Sequence, residues 1–190
     1  MSVKSILCSI PVETPGGKLR RKRSEGPTPI MPKIAITSIN NWTKKNGFPE
    51  CKFYDIDMLY PDDNDIRDFF KKNQADIVGL SAVVSTSYLQ VERISRIIKE
   101  VSPGTIIVCG GYLTAAANTV LHKTDVDICV VGDGEIAWVK ILDHIIKYPD
   151  RKDYASKLKL NEIRGVAFLD KDRKINLNNF AQAIPANEQV

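Results

Sequence analysis

The chain has 190 residues, 43% hydrophobic and 26% charged, enough for one α/β domain with a full core and an appendage but not for two large domains. No apolar run approaches the roughly 20 residues of a membrane-spanning helix, and the start, MSVKSILCSIPV, lacks the long apolar region and cleavage site of a secretory signal. The formal charge of +4 is concentrated in Lys18, Arg20, Arg21, Lys22 and Arg23; the remainder sums to about −1, which argues against a distributed basic face for nucleic acid.

In chain order, residues 5–12 read as a first buried strand. Glu13-Thr14-Pro15-Gly16-Gly17 rules out an immediate helix, and the basic run with Gly26-Pro27-Thr28-Pro29 extends this into a long loop. Such a loop is either a solvated segment or a contact for an anionic ligand or partner. Pro32 suits the first turn of a helix reaching Lys45, with Ile34, Ile36, Ile39 and Trp42 as its apolar side. The run CKFYDIDM, residues 51–58, alternates as an outer strand with one wetter face would. Asp62-Asp63-Asn64 supplies caps and negative charge for a helix that buries Ile66, Phe69 and Phe70 and ends near Asn73.

Three short apolar runs follow, residues 77–84, 105–109 and 126–131, each of strand length and rich in β-branched side chains, as the centre of a parallel sheet requires. Helices between them are expected at 87–101, where Tyr88, Val91, Ile94, Ile98 and Val101 recur every three or four residues, and more weakly at 115–122. A stronger one spans 135–147 through Trp138, Val139, Leu142, Ile145 and Ile146. Residues 148–159 read as a polar linker or ragged helix. After them, residues 166–169 and 174–177 flank Asp170-Lys171-Asp172-Arg173 as a small β-hairpin. From Asn178 the tail shows no period and is expected to be loose.

Five strands separated by helices predict an α/β fold, a flavodoxin-like doubly wound parallel sheet of order 2-1-3-4-5, with a small C-terminal β-hairpin. The expected division is residues 1–147 for the α/β domain and 148–190 for linker, hairpin and tail. Cysteines 8, 51, 109 and 129 are too far apart for a CxxC-type metal motif, and three fall inside predicted strands while Cys51 opens another. They read as buried, reduced thiols of a cytoplasmic protein.

Ligands of open α/β sheets bind outside the carboxyl ends of the strands. Three of those ends open into small or polar residues: Ser85-Thr86-Ser87, Gly110-Gly111 and Gly132-Asp133-Gly134-Glu135. GxGxxG and GxxxxGK[ST] are absent, so dinucleotide and P-loop sites have no support. The third strand ends in Ser81-Ala82-Val83-Val84, without the acidic pocket of a receiver domain. His122 and His144 lie on predicted helices outside any nucleophile motif and suit structural or surface roles. Asp133 and Glu135 could form an acid–base pair, but a helix cap and a ligand hydrogen bond fit their spacing equally, and a binding role is weighted above catalysis. What remains is a broad, nearly uncharged floor for a large flat ligand held mainly by backbone.

DIVGLSAVVSTSY, IIVCGGYLTA and ICVVGDGE, in this order and spacing, resemble the cobalamin-binding domain that precedes the catalytic barrel in many cobalamin-dependent radical S-adenosylmethionine enzymes. The likeness covers residues 5–147, and GVAFLDKDRKINLN resembles the segment leading into the barrel. The resemblance implies that Ser81, Ser85, Thr86 and Tyr88 line the corrin and its amides. It implies that Gly110, Gly111, Tyr112 and Thr114 make room for the nucleotide tail, and that Gly132, Asp133, Gly134 and Glu135 close the other side of its slot. Glycines there would let a bulky group approach, and amides at helix starts could bind its phosphate.

Two departures matter. Leu113 stands where that family often has a histidine, and DxHxxG, which ligates cobalt from below in corrinoid carriers, is absent. The resemblance therefore implies cobalamin without a protein histidine on cobalt. CxxxCxxC is absent too, so no iron–sulfur cluster is expected in this chain. The expected function is cobalamin binding as the binding domain or subunit of a methyltransferase-like radical system with no radical chemistry alone, the chain being a truncated product, an excised domain, or a stand-alone subunit partnered by a separate barrel. The alternatives are a corrinoid methyl carrier, or a regulatory or interaction domain that binds no corrinoid.

Overall fold

The computed structural model describes residues 3–12, 33–148 and 159–188. The basic run at 18–23, Pro32 and the linker residues 149–158 lie outside them. Strands β1 (Ser5–Ser9), β2 (Lys52–Asp55), β3 (Ile77–Ser81), β4 (Ile106–Gly110) and β5 (Ile128–Val130) form a parallel sheet in the order β2-β1-β3-β4-β5. This is the expected order. Between them run α1 (Ile34–Lys45), α2 (Ile56–Leu59), α3 (Asp63–Lys72), α4 (Tyr88–Val101) and α5 (Ala117–Lys123), and α6 (Glu135–Lys147) follows β5.

Side chains alternate along each strand, so one period-2 pattern feeds two cores. Cys8, Val78, Leu80, Ile107 and Cys109 face one side, where Ile66 and Phe70 of α3, Ile94 and Ile98 of α4 and Val120 of α5 cover them. Leu7, Ile77, Ile106, Val108 and Ile128 face the other, under Ile36 of α1 and Trp138, Ile141 and Ile145 of α6. Each fully buried aliphatic side chain contributes about 1.5–3 kcal/mol. Gly79 is required inside β3, because a Cβ there would lie 2.7 Å from Leu7 Cδ2 and 3.1 Å from the Trp138 ring.

Three expectations need correction. The outer strand anticipated at 51–58 stops at Asp55, because its carboxylate accepts a hydrogen bond from the Met58 amide at 3.1 Å and starts the short α2. The C-terminal hairpin is not a separate appendage. Its strands β6 (Val166–Leu169) and β7 (Ile175–Leu177) continue the sheet antiparallel beyond β5, giving a seven-stranded sheet among the described residues. The tail after Asn178 is docked rather than loose: the Ala181 amide donates to Val131 O at 2.9 Å, Ile184 is buried, and Glu188 pairs with Lys45 at 3.6 Å.

The four cysteines are free and buried, as expected. Cys109 and Cys129 are register partners on β4 and β5. Burial pushes the Cys109 thiol up to about 12 and raises those of Cys8 and Cys129 as well, so these three are not ready nucleophiles. Among the described residues, no helix is long and apolar enough to cross a membrane.

Candidate functional site

At the carboxyl ends of the strands the register aligns Asp55, Ser9, Ser81 and Gly110 side by side across β2, β1, β3 and β4. By strand alternation this row lies on the face covered by α1 and α6, and Gly132, two residues beyond Val130, continues it past β5. Three of the first four members are buried or half-buried, yet small. Gly110 is the most open: a Cβ built there meets nothing within 4 Å. The result is a shelf of small residues where the apolar ladder stops.

Gly111 behaves differently from its neighbour. Its φ is +93°, and a Cβ would lie 2.3 Å from Ala82 O, so the missing side chain makes room for the protein's own β3 backbone. Ala82 accepts from the Leu113 amide at 3.3 Å and donates to Gly110 O at 2.9 Å, which locks the two loops together. Thr114, expected to face a ligand, is buried, with its hydroxyl proton shared between Gly111 O at 2.7 Å and Val130 O at 2.9 Å. It holds the glycine loop against β5. Leu113 is a core residue.

The loop after β5 is also partly occupied by the fold. Glu135 opens α6 and accepts from Ser38 Oγ of α1 at 2.6 Å, and Gly134 lies against Ile39, whose Cδ1 would stand 3.2 Å from a Cβ. Both residues seat α6 on α1. Gly132 (φ +103°) packs beside Ala181 of the tail, while Asp133 is exposed. Ser85, Thr86 and Tyr112 are exposed along the same edge, together with Val83 and Val84. These five residues form an uncharged, largely apolar rim. Tyr88 is half-buried against the opposite core, so it does not share the shelf's face.

Ser9 and Asp55 escaped the sequence reading. Ser9 Oγ donates to the Asp55 carboxylate at 2.5 Å, and the Lys33 ammonium pairs with Asp57 and lies 3.9 Å from Asp55. Only the register could have revealed them, because each is an isolated polar residue at the end of its own strand. Ser87, between the exposed pair and α4, is fully buried, and its Oγ has no hydrogen-bond partner among the described residues. The histidines lie elsewhere: both ring nitrogens of His122 face carbonyls, of Asn118 at 2.8 Å and Arg173 at 3.0 Å, and His144 packs edge-on against Tyr148.

A family model described as the B12 binding domain matches residues 27–142, more than half of the chain. The chain belongs to the B12 binding domain family. It is 27% identical over 135 residues to the anaerobic magnesium-protoporphyrin IX monomethyl ester cyclase of Cereibacter sphaeroides, a match covering 70% of this chain and 21% of that protein. Its fold resembles the cobalamin-dependent S-adenosylmethionine radical enzyme OxsB, solved with aqua-cobalamin bound (TM-score 0.74, 17% identity, 100% of this chain and 24% of that one). It also resembles the radical S-adenosylmethionine methyltransferase TsrM of Kitasatospora setae, solved with cobalamin and a 4Fe–4S cluster (TM-score 0.70, 14% identity, 100% and 31%). The chain thus spans a third or less of each of these relatives.

Shelf and rim fit a corrinoid on two counts. The rim is broad and uncharged, as a macrocycle edged with amides requires, and the shelf is open at Gly110, where a tail could pass close to backbone.

Proposed function

We propose that this B12-binding domain seats the corrin of cobalamin on the rim of Val83, Val84, Ser85, Thr86 and Tyr112. Its nucleotide tail would lie along the shelf formed by Ser9, Ser81, Gly110 and Gly132. The observation that carries this reading is the register row of small residues ending at an open Gly110. Ser81 and Ser85 offer hydroxyls, and Asp133 an exposed carboxylate, to the amide side chains. Gly111 and Thr114 act one step back, fixing the height of the glycine loop. Gly134 and Glu135 do the same for the start of α6.

The cobalt centre, when present, supplies a transferable methyl group. The protein's part is to hold the ring in one orientation. No histidine among the described residues is placed on the shelf, and DxHxxG is absent, so we assign the lower face of cobalt no histidine ligand. We further propose that the domain works beside a radical S-adenosylmethionine barrel, whether in one longer chain or as a separate protein. The support is that it matches about a quarter of OxsB and less than a third of TsrM. Buried free thiols suit a cytoplasmic setting.

The test is a visible-absorbance titration with hydroxocobalamin and methylcobalamin, followed by gel filtration. Colour should travel with the protein and carry a spectrum without histidine ligation. A folded chain that elutes colourless would overturn the reading and favour an interaction domain. A histidine-ligated spectrum would overturn the ligation claim alone.

A further inference from the structure

The tail beyond β7 crosses the carboxyl edge under unusual restraint. Asn178 is held on both sides, its amide donating to Val166 O at 3.1 Å and its carbonyl accepting from the Gly165 amide at 2.8 Å, while its side chain reaches Asn161 O at 2.6 Å. Asn179 then turns through a left-handed conformation, φ 54°. Ala181 is fixed by the hydrogen bond to Val131 O at 2.9 Å and by contact with two glycines: a Cβ on Gly165 would fall 2.4 Å from Ala181 Cα, and one on Gly132 3.3 Å from its Cβ. Ile184 is buried three residues later.

Between these two anchors stands Phe180, 72% exposed. Its backbone is held between Asn178 and Ala181, and it directly precedes the residue that packs on Gly132, the last member of the small-residue shelf. A rigid backbone presenting a bare aromatic ring is poised for binding, because little conformational entropy remains to be lost when the ring is covered. Both Gly132 and Gly165 are needed to bring the tail this close. The restraint therefore serves the placement of residues 180–181 at this edge.

Resting on the corrinoid reading above, we propose that Phe180 is a ligand-contacting residue that packs against the aromatic base of the nucleotide tail, extending the shelf with a hydrophobic wall from the C-terminal tail. The chemistry fits: a benzimidazole-type base is flat and aromatic, and an offset or edge contact with a phenyl ring is favourable beyond the area buried.

The experiment compares two corrinoids. Cobalamin carries the base, whereas cobinamide has the corrin without the nucleotide tail. Wild-type protein, Phe180→Ala and Phe180→Trp are titrated with each and melted without ligand. Phe180→Ala should weaken cobalamin binding about three- to tenfold and leave cobinamide binding unchanged, with Phe180→Trp close to wild type. Since the ring is exposed, the ligand-free melting temperatures should agree among all three. Equal weakening of both corrinoids, or of neither, overturns the assignment to the base. A folded wild-type chain that binds neither corrinoid overturns the cofactor reading itself, and this assignment with it.

Discussion

The two ends of the sheet are built from different materials. At the amino end, charged side chains finish the strands: the Asp127 carboxylate accepts from the Ile107 amide and the Lys99 ammonium, both at 2.7 Å, and Lys99 also donates to Thr105 O at 2.8 Å. Asp76 accepts from the Lys4 amide at 2.8 Å, and Thr105 Oγ1 donates to Ala75 O at 2.7 Å. At the carboxyl end the corresponding positions are Ser81, Gly110 and Gly132. There β3, β4 and β5 end without bulk or charge, and charge enters the row only at Asp55 on β2. One end closes the fold upon itself, and the other keeps its backbone approachable at Gly110.

Removing the charge at the closed end should produce the largest loss of stability. Asp127→Ala leaves Lys99 and the Ile107 amide without their carboxylate, at a cost of about 2–4 kcal/mol. Chemical denaturation should show it as a lower midpoint at unchanged slope. A midpoint equal to wild type would erase the contrast between the two ends.

The adjacent glycines sharpen the contrast within the open end. Gly111→Val combines a left-handed φ with a collision at Ala82 O and should destabilise by about 3 kcal/mol, visible in the melting temperature before any ligand is added. Gly110→Val places its methyl groups in open space. It should leave the melting temperature unchanged while weakening corrinoid binding by on the order of 100-fold through steric exclusion. Retained affinity in Gly110→Val would remove the shelf from the site.

The smallest effect is expected beneath the rim. Ser87→Ala deletes a buried hydroxyl with no partner among the described residues, so stability should stay level or rise by up to about 1 kcal/mol. A clear drop in thermal stability would show that the hydroxyl is satisfied in solution.

Much of the fold was legible in the chain because its signals are local. The β-branched runs at 77–84, 105–109 and 126–131 and the helical period of α4 and α6 specify elements without reference to anything distant. The expected order of the five parallel strands followed from the alternation of strands and helices, as the simplest doubly wound sheet. The errors arose where a side chain contacts backbone out of period: Asp55 ends β2 by capping α2, and the polar, aperiodic tail docks because Gly132 and Gly165 admit Ala181.

The site divides along the same line. Sequence alone determined that small hydroxyl residues follow β3 and glycines follow β4 and β5, with Asp133 and Glu135 as the charges among them, since residue type and strand period are written in the chain. Tertiary structure decided which of them stay available. Gly111, Thr114, Gly134 and Glu135 are engaged in packing one element on another, whereas Ser9 and Phe180 are brought to the edge from opposite ends of the chain. Register and close approach are properties of pairs of segments, so no single stretch of sequence could express them.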